Sequence, residues 1–163
     1  MPDLIAPTTR LHQAWQAAHA DWGPGVHEDG FGLLPSDEVD SQAGFATWVA
    51  RITDQPDSVC RWIVEDDHVL GGIALRLAPD DHVRTFGHIG YGIRPSARRR
   101  GLATWALGRV LDEARALPLD RILLVCEDTN TASMKTIERN GGIVDRTQPT
   151  DLGATRRYWI TLR

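Results

Sequence analysis

Residues 93–104 read IRPSARRRGLAT, and this stretch decides the fold because it contains the transition from a strand to a helix. The extended run Phe86–Ile93 predicts the strand. Pro95 ends it, since proline fixes φ and has no backbone N–H to donate. After three arginines and Gly101, apolar residues recur at helical spacing and predict a helix that begins near Leu102.

A basic loop at a helix N-terminus is a typical site for an anion. The first backbone amides of a helix have no partners within it, and the helix dipole favours negative charge at this end. Gly101 has no Cβ, so a phosphate can approach its backbone closely. A solvated basic turn is the alternative interpretation of Arg98–Arg100. The sequence has neither a dinucleotide-binding G-x-G-x-x-G nor a P-loop G-x-x-x-x-G-K-[ST].

The composition predicts a soluble, single-domain protein. The chain has 163 residues, of which 42% are hydrophobic and 25% are charged. No apolar run is long enough to span a bilayer, and the N-terminus lacks the pattern of a secretion signal. Cys60 and Cys126 lie in apolar runs, which indicates buried thiols in a reducing cytoplasm. No Cys/His cluster has the spacing of a zinc site, so we predict no metal.

Charge divides the sequence into two unequal parts. Residues 1–90 contain 14 acidic and 5 basic side chains, a formal charge of −9, whereas residues 91–163 contain 8 acidic and 13 basic side chains, a charge of +5. A basic half suits a polyanionic ligand, and an acidic half suits a cationic one. The alternative is that these are solvated faces whose sign is incidental.

Hydrophobic patterning predicts an α/β (α+β) fold with a mixed, mostly antiparallel sheet flanked by helices on both faces. The predicted helices are 8–20, 41–53, 102–116 and 130–140. The predicted strands are Cys60–Glu65, His68–Leu77, Phe86–Ile93, Arg121–Cys126, Ile143–Asp145 and Arg156–Leu162, with a turn at Pro79–Asp81. Glycines and prolines predict a long loop over residues 21–40. The strand–helix–strand order from Ile93 to Val125 predicts a parallel pair with a right-handed crossover.

The pattern Arg98-x-x-Gly101-x-Ala103 resembles the [QR]-x-x-G-x-[GA] acyl-CoA loop of the GNAT acetyltransferase superfamily. The order of elements resembles the GNAT fold, and GHIGYGIRP at residues 87–95 is similar to the central strand of that family. Asn130-x-Ala132-Ser133, followed by NGG at residues 140–142, resembles the helix that packs along the pantetheine arm. The resemblance covers roughly residues 60–145 well and the first 55 only in outline.

This resemblance implies one GNAT domain over residues 1–163, with acceptor-side helices and a loop in 1–58 and a cofactor-binding core in 59–163. It implies acetyl-CoA as co-substrate, with the pyrophosphate held mainly by backbone amides of residues 98–104. The residues that it assigns to CoA are Ile93, Arg98, Arg99, Arg100, Gly101, Leu102, Ala103, Thr104, Asn130 and Ser133. The alternatives are a plain helix N-cap for Asn130 and simple packing for Ser133.

The implied reaction is attack of a neutral amine on the thioester in a ternary complex, which needs aligned reactants and a donor for the oxyanion near Ile93. His88 is the first choice for the base, because imidazole titrates in the right range. Its alternative is a structural histidine. Glu65 is the second choice and Glu127 the third.

The sequence departs from the pattern of that family at the position of the general acid. Many GNAT enzymes carry a tyrosine seven residues after the asparagine, but here that position is Ile137. The candidates for the acid are Tyr158, Tyr91 and Ser133.

Three hypotheses follow: acetylation of a small amine, acetylation of a protein lysine or N-terminus, and a CoA-binding module without catalysis. We expect a small cationic acceptor, recruited by carboxylates of the long loop. These carboxylates are Glu28, Asp29, Asp37, Glu38 and Asp40. We expect a cytoplasmic monomer or homodimer with no nucleic-acid or membrane partner.

Overall fold

The computed structural model describes residues 1–25, 27–150 and 153–163. Its strands are β1 (Asp3–Ile5), β2 (Ser58–Glu65), β3 (His68–Arg76), β4 (Ile89–Ile93), β5 (Arg121–Glu127), β6 (Ile143–Thr150) and β7 (Gly153–Thr161). Its α-helices are α1 (His12–Asp21), α2 (Gln42–Asp54), α3 (Asp81–Phe86), α4 (Leu102–Ala114) and α5 (Thr131–Arg139). Short 3-10 helices lie at Thr9–Leu11 and Pro95–Ala97. The four predicted helices and the predicted β2–β3 hairpin strands are confirmed within a few residues.

The strands form two sheets, with the orders β1-β2-β3-β4 and β5-β7-β6. β1 is antiparallel to β2, and β7 is antiparallel to both β5 and β6. The α+β class with mostly antiparallel pairing is therefore confirmed. The predicted parallel pair of β4 and β5 does not form among the described residues, where the two strands belong to different sheets. The crossover rule holds only for strands of one sheet, and the sequence pattern does not indicate which strands share a sheet.

The segment before β4 differs from the prediction. Residues 81–86 form α3, so the strand begins at Ile89 instead of Phe86. The side chain of Asp80 accepts a hydrogen bond from the Val83 amide at 2.9 Å and caps the helix, where the sequence predicted a turn. Gly87 ends the helix with a φ of 86°. β1 was not predicted, because three residues are too few to show an alternating pattern.

The chain divides into two compact units, one formed by Met1–Leu75 with Gly90–Leu102 and the other by Arg76–Ile89 with Ala103–Arg163. The core of the first unit is aromatic. Trp15, Phe31, Phe45, Trp48 and Trp62 are all buried, and the ring centroids of Trp15 and Trp48 are 4.8 Å apart. Phe31 belongs to the long loop, and its ring lies 5.6 Å from that of Trp15. The core thus anchors this part of the loop.

The same loop lies directly on β3 and β4 at positions that only glycine can occupy. A Cβ on Gly92 would meet the Glu28 carbonyl oxygen at 2.4 Å and the Asp29 Cα at 2.6 Å. Gly30 has a φ of 75°, and a Cβ there would meet the Gly72 oxygen at 2.1 Å. Real Cβ atoms do not approach backbone this closely, so the glycines allow residues 28–30 to pack on the sheet.

The carboxylate of Asp21 joins the end of α1 to the chain after β4. Its Oδ2 accepts hydrogen bonds from Arg94 Nε at 2.9 Å, the Ser96 amide at 3.1 Å and Ser96 Oγ at 2.6 Å. Arg94 also donates to the carbonyls of Val69 and Ala17. The bonds from Ser96, and then that from Arg94, lower the pKa of Asp21 to about 2. The start of the basic loop is therefore fixed by a charged cluster.

Asp21→Asn should destabilise the protein at neutral pH, because an amide is a weaker partner for Arg94 and Ser96. The folded pKa of Asp21 lies below its unfolded value of about 3.9, so its stabilising contribution is present above that value and is lost as pH falls through about 2. Urea unfolding of both proteins from neutral pH to acid should show the stability difference narrowing below about pH 4.

Asp81→Asn is the control for this measurement, because the Asp81 carboxylate is fully exposed and pairs with Arg84 at 3.6 Å. An exposed pair contributes little to stability. A stability difference for Asp21→Asn that stays constant into acid, or that matches the control at neutral pH, would contradict the role of the Asp21 cluster.

Candidate functional site

The basic loop has an open backbone where α4 begins. The Ala97 amide donates to the Arg94 carbonyl at 2.9 Å, which closes the 3-10 turn after β4. Arg99 and Gly101 then adopt left-handed φ angles of 66° and 75°. A Cβ on Gly101 would have no atom within 4 Å, so its backbone faces open space. A left-handed arginine costs conformational energy, and such strain is frequent at ligand sites.

The three arginines of this loop occupy different environments. Arg98 Nε donates to the Ile93 carbonyl at 2.9 Å, and Arg100 Nη2 donates to Glu65 Oε1 at 2.7 Å. Within the described ranges, Arg99 makes no ion pair or side-chain hydrogen bond, and it is exposed. Arg98 and Arg100 thus help to hold the loop, and Arg99 is positioned to meet an anion.

Ile93 lies at the end of β4, and its backbone is partly engaged by the protein. Its carbonyl accepts the bond from Arg98 and retains one lone pair for another donor. The next amide, that of Arg94, donates to the Leu70 carbonyl at 2.8 Å. The predicted pairing of Ile93 with pantetheine stays a prediction. Ile93 and residues 98–102 lie in the first unit, whereas Ala103, Thr104, Asn130 and Ser133 lie in the second.

In the second unit, Asn130 caps α5. Its Oδ1 accepts a hydrogen bond from the Ser133 amide at 3.1 Å, as the structural alternative predicts. Ser133 lies within hydrogen-bonding reach of the Cys126 thiol, whose pKa is raised by burial. Contact of either residue with CoA stays a prediction. Cys60 and Cys126 are both buried, and neither forms a disulfide.

Asn140 has a positioning role that the sequence analysis did not assign. Its Nδ2 donates to the Thr104 carbonyl at 3.2 Å and to the Thr136 carbonyl at 2.9 Å, which ties the first turn of α4 to the end of α5. The indication of this role in the sequence was the position of Asn140 directly before Gly141-Gly142. A side-chain amide can serve two carbonyls at once, but the distant partner cannot be identified from the sequence.

His88 is placed as a hydrogen-bond acceptor for the backbone. Its Nδ1 accepts from the Leu123 amide at 2.9 Å, and the ring is half-buried. Burial lowers the pKa of His88. The neutral ring with its proton on Nε2 fits this contact, so the histidine presents a donor and not a basic nitrogen.

The two carboxylates predicted as further bases differ in surroundings. Glu65 Oε1 accepts from Arg100, and its Oε2 lies 3.5 Å from the N-terminal ammonium. The hydrogen bond from Arg100 lowers the pKa of Glu65, which makes it a weaker proton acceptor. Glu127 is exposed, and its carbonyl accepts from the Asn130 amide at 3.0 Å.

Tyr158 is fully buried in the second unit. Its hydroxyl donates to Glu138 Oε1 at 2.7 Å, and burial raises its pKa. A hydroxyl that is already committed to a carboxylate must break that bond before it can donate to a leaving thiolate. Its role as general acid, like the catalytic roles of His88 and Glu65, stays a prediction.

Three of the five carboxylates named for the long loop, Asp29, Asp37 and Glu38, differ in their surroundings. Asp37 accepts from Arg51 Nη2 at 2.5 Å and from the Leu34 amide at 2.7 Å. Glu38 accepts from the amide and hydroxyl of Ser41, the residue that caps α2, and these bonds lower its pKa. These two groups shape the loop. Asp29 is different, because its side chain is only 14% exposed and burial raises its pKa.

The described ranges contain neither a candidate metal site nor a candidate membrane span. No three of their His, Cys, Asp and Glu side chains are arranged to hold a metal ion. None of their helices has the length and apolar character needed to cross a membrane.

Solved structures with the same fold belong to several acetyltransferases. The microcin C7 self-immunity acetyltransferase MccE, in complex with acetyl-CoA and AMP, is 13% identical with a TM-score of 0.72, covering 98% of this chain and 92% of its own. Mutant forms of the spermidine/spermine N-acetyltransferase SpeG from Vibrio cholerae are 12% identical with a TM-score of 0.70. The similarity covers 99% of this chain and 95% of the SpeG chain.

A third structure is the Salmonella typhimurium acetyltransferase that modifies the N-terminal serine of the 50S ribosomal subunit protein L7/L12. It is 14% identical with a TM-score of 0.72, covering 98% of this chain and 94% of its own. No curated protein sequence is significantly similar to the chain. The model of the acetyltransferase (GNAT) domain matches residues 6–143. This match covers most of the sequence, and the chain therefore belongs to the GNAT acetyltransferase family.

Proposed function

We propose that the protein is an N-acetyltransferase that moves an acetyl group from acetyl-CoA to a primary amine of a small cationic molecule in a ternary complex. The observation that carries the proposal is the loop from Arg98 to Leu102 in a chain of the GNAT family. Its left-handed Gly101 opens the backbone to solvent where α4 begins. The structure of MccE in complex with acetyl-CoA supports the choice of acetyl-CoA as co-substrate.

The phosphates of CoA are assigned to Arg99 and to the backbone amides of residues 98–104, of which the Arg98 amide also donates to the Pro95 carbonyl at 3.4 Å. Amides at a helix N-terminus bind anions through unpaired N–H groups and the helix dipole. Arg99 adds a formal positive charge on an exposed side chain. Ile93, Asn130 and Ser133 are assigned to the pantetheine arm, as the family resemblance implies.

The acceptor is assigned to the acidic half of the sequence. Residues 1–90 carry a formal charge of −9, which attracts an ammonium. Residues 28–30 of the long loop pack on β4 next to Gly92, one residue before Ile93. The structural neighbour SpeG is a spermidine/spermine N-acetyltransferase, whereas the neighbour that modifies L7/L12 acts on a protein N-terminus. The half-buried Asp29 favours a small ammonium that can enter a confined site.

Turnover of acetyl-CoA with a panel of acceptors tests this function. Release of the CoA thiol should be fastest with small cationic amines, such as spermidine, and mass spectrometry should detect the acetylated product. Peptide N-termini and lysine peptides should react more slowly by about tenfold or more. Acetylation of peptides alone would favour a protein acetyltransferase, and CoA binding without turnover would favour a non-catalytic module.

Gly101→Val should abolish measurable CoA binding, with a loss of affinity of about 100-fold or more. A β-branched residue is strained at this left-handed φ, so the loop must rearrange, and the new methyl groups cover the exposed amide. Isothermal titration calorimetry with CoA measures the effect.

Gly32→Val is the matched control, because Gly32 has a φ of 74° and also faces open space. It introduces the same backbone strain away from the basic loop and should leave CoA affinity unchanged. Equal affinities in the Gly101 variant and the control would remove the basic loop from the CoA site.

A further inference from the structure

Asp29 is a half-buried carboxylate held in one place by the backbone. Its Oδ1 accepts a hydrogen bond from the Phe31 amide at 3.0 Å. Phe31 is fully buried in the aromatic core, so this bond connects Asp29 to a rigid part of the first unit. The carboxylate keeps one further oxygen, Oδ2, for another partner.

His19 stands opposite this oxygen without reaching it. Its Nδ1 lies 4.0 Å from Asp29 Oδ2, beyond hydrogen-bonding distance. This nitrogen is buried and, within the described part of the chain, has no hydrogen-bond partner. The ring stacks on the buried Trp15 with centroids 4.9 Å apart, and this packing orients it. The imidazole side chain as a whole is 40% exposed.

A buried polar nitrogen with no partner costs free energy, so a fold that retains one is suited to a ligand that supplies the missing bond. A group that bridges Asp29 Oδ2 and His19 Nδ1 from the side, within hydrogen-bonding distance of both, must donate to the carboxylate. An ammonium donates hydrogen bonds, and a neutral amine can both donate and accept. The charged and the neutral form of a primary amine can therefore each form hydrogen bonds with Asp29 and His19.

The pair also lies close to the strand that ends at the basic loop. The Asp29 Cα lies 2.6 Å from the position that a Cβ on Gly92 would occupy. Gly92 directly precedes Ile93, near which the proposed oxyanion donor lies. An amine held by Asp29 is therefore in the neighbourhood of β4, where the thioester is expected.

The other charged groups around Asp29 are compatible with a cationic ligand. His19 on α1 and His27 on the loop are the titratable groups that favour the charged carboxylate. His27 Nε2 lies 3.1 Å from the carbonyls of both Gly23 and Pro24. Asp37 and Glu38 serve other partners, as described above. Burial raises the pKa of Asp29, which brings it closer to that of an amine.

We propose that Asp29 and His19 form the acceptor-binding pair of this enzyme, and that Asp29 takes the proton that the ammonium loses before attack. This inference rests on the proposed function. The ammonium first gives one proton to the carboxylate, directly or through His19. The amine nitrogen then bonds to the acetyl carbon while the carbon–sulfur bond breaks, and its second proton goes to the CoA thiolate. The proton on Asp29 passes to solvent, which restores the carboxylate.

Asp29→Asn should lower kcat by about 100-fold or more, the usual contribution of a general base, with an unchanged KM for acetyl-CoA. The amide keeps the bond to Phe31, so the loop is retained. Asp57→Asn is the control, because it removes the same charge from an exposed carboxylate of the same unit. The control should stay within about twofold of the wild type. A kcat for Asp29→Asn that also stays within that range would overturn the proposal.

His19→Gln provides a second variant in case Asp29→Asn does not fold, as thermal melting would show. It should lower kcat by about tenfold and change the shape of the pH–rate profile, because an amide cannot pass a proton between the amine and Asp29. His68→Gln, an exposed histidine on β3, is its control. Identical kcat values and pH profiles for His19→Gln and wild type would overturn the role of His19.

A binding measurement separates this inference from the proposed function. The wild type and Asp29→Asn are titrated with methylamine, 1,4-diaminobutane and spermidine, while NMR follows the imidazole signals of His19. At least one amine should shift these signals in the wild type and leave them unchanged in the variant. The absence of any shift in the wild type overturns the acceptor pair, even if turnover establishes the acetyltransferase. Failure of turnover with intact binding instead overturns only the proposed reaction.

Discussion

The carboxylate of Asp21 is the constraint on which the geometry after β4 depends. One oxygen of this residue accepts three hydrogen bonds from Arg94 and Ser96, so it fixes the chain at the point where the strand ends. Arg98 then folds back to the Ile93 carbonyl, and Arg100 reaches Glu65. These contacts leave the backbone around Gly101 in open space. The loop is therefore organised before any anion binds, which lowers the entropic cost of binding.

The same unit holds the loop that carries Asp29. Phe31 fills the aromatic core on one side of Asp29, and Gly92 admits the backbone of residues 28–29 on the other. Because packing fixes the chain on both sides of Asp29, its carboxylate cannot easily turn toward water. Its raised pKa and its distance from His19 follow from this confinement. The basic loop up to Leu102 and the loop that carries Asp29 are therefore two segments of one compact unit.

The sequence predicted those features that depend on local patterns. The long helices bury one face, so their periodicity was visible. The strands β2 and β3 were predicted as apolar runs, and β3 is buried from Val69 to Leu75. The basic loop was recognised from its residues. α3 and β1 were missed because six and three residues give little periodicity. The partition of β4 and β5 between two sheets depends on tertiary contacts. Likewise, the five loop carboxylates are equivalent in the sequence, and only packing distinguishes Asp29 from Asp37 and Glu38.

We propose that backbone amides at the start of α4 hold the phosphates of CoA. Amide NMR of ¹⁵N-labelled protein during a titration with CoA tests it most directly, because each amide reports its own hydrogen bonding. If these amides hold the phosphates, those of residues 99–104 shift most and saturate together with binding. Saturable binding of CoA that leaves these amides unshifted, with the largest changes elsewhere in the chain, would contradict it.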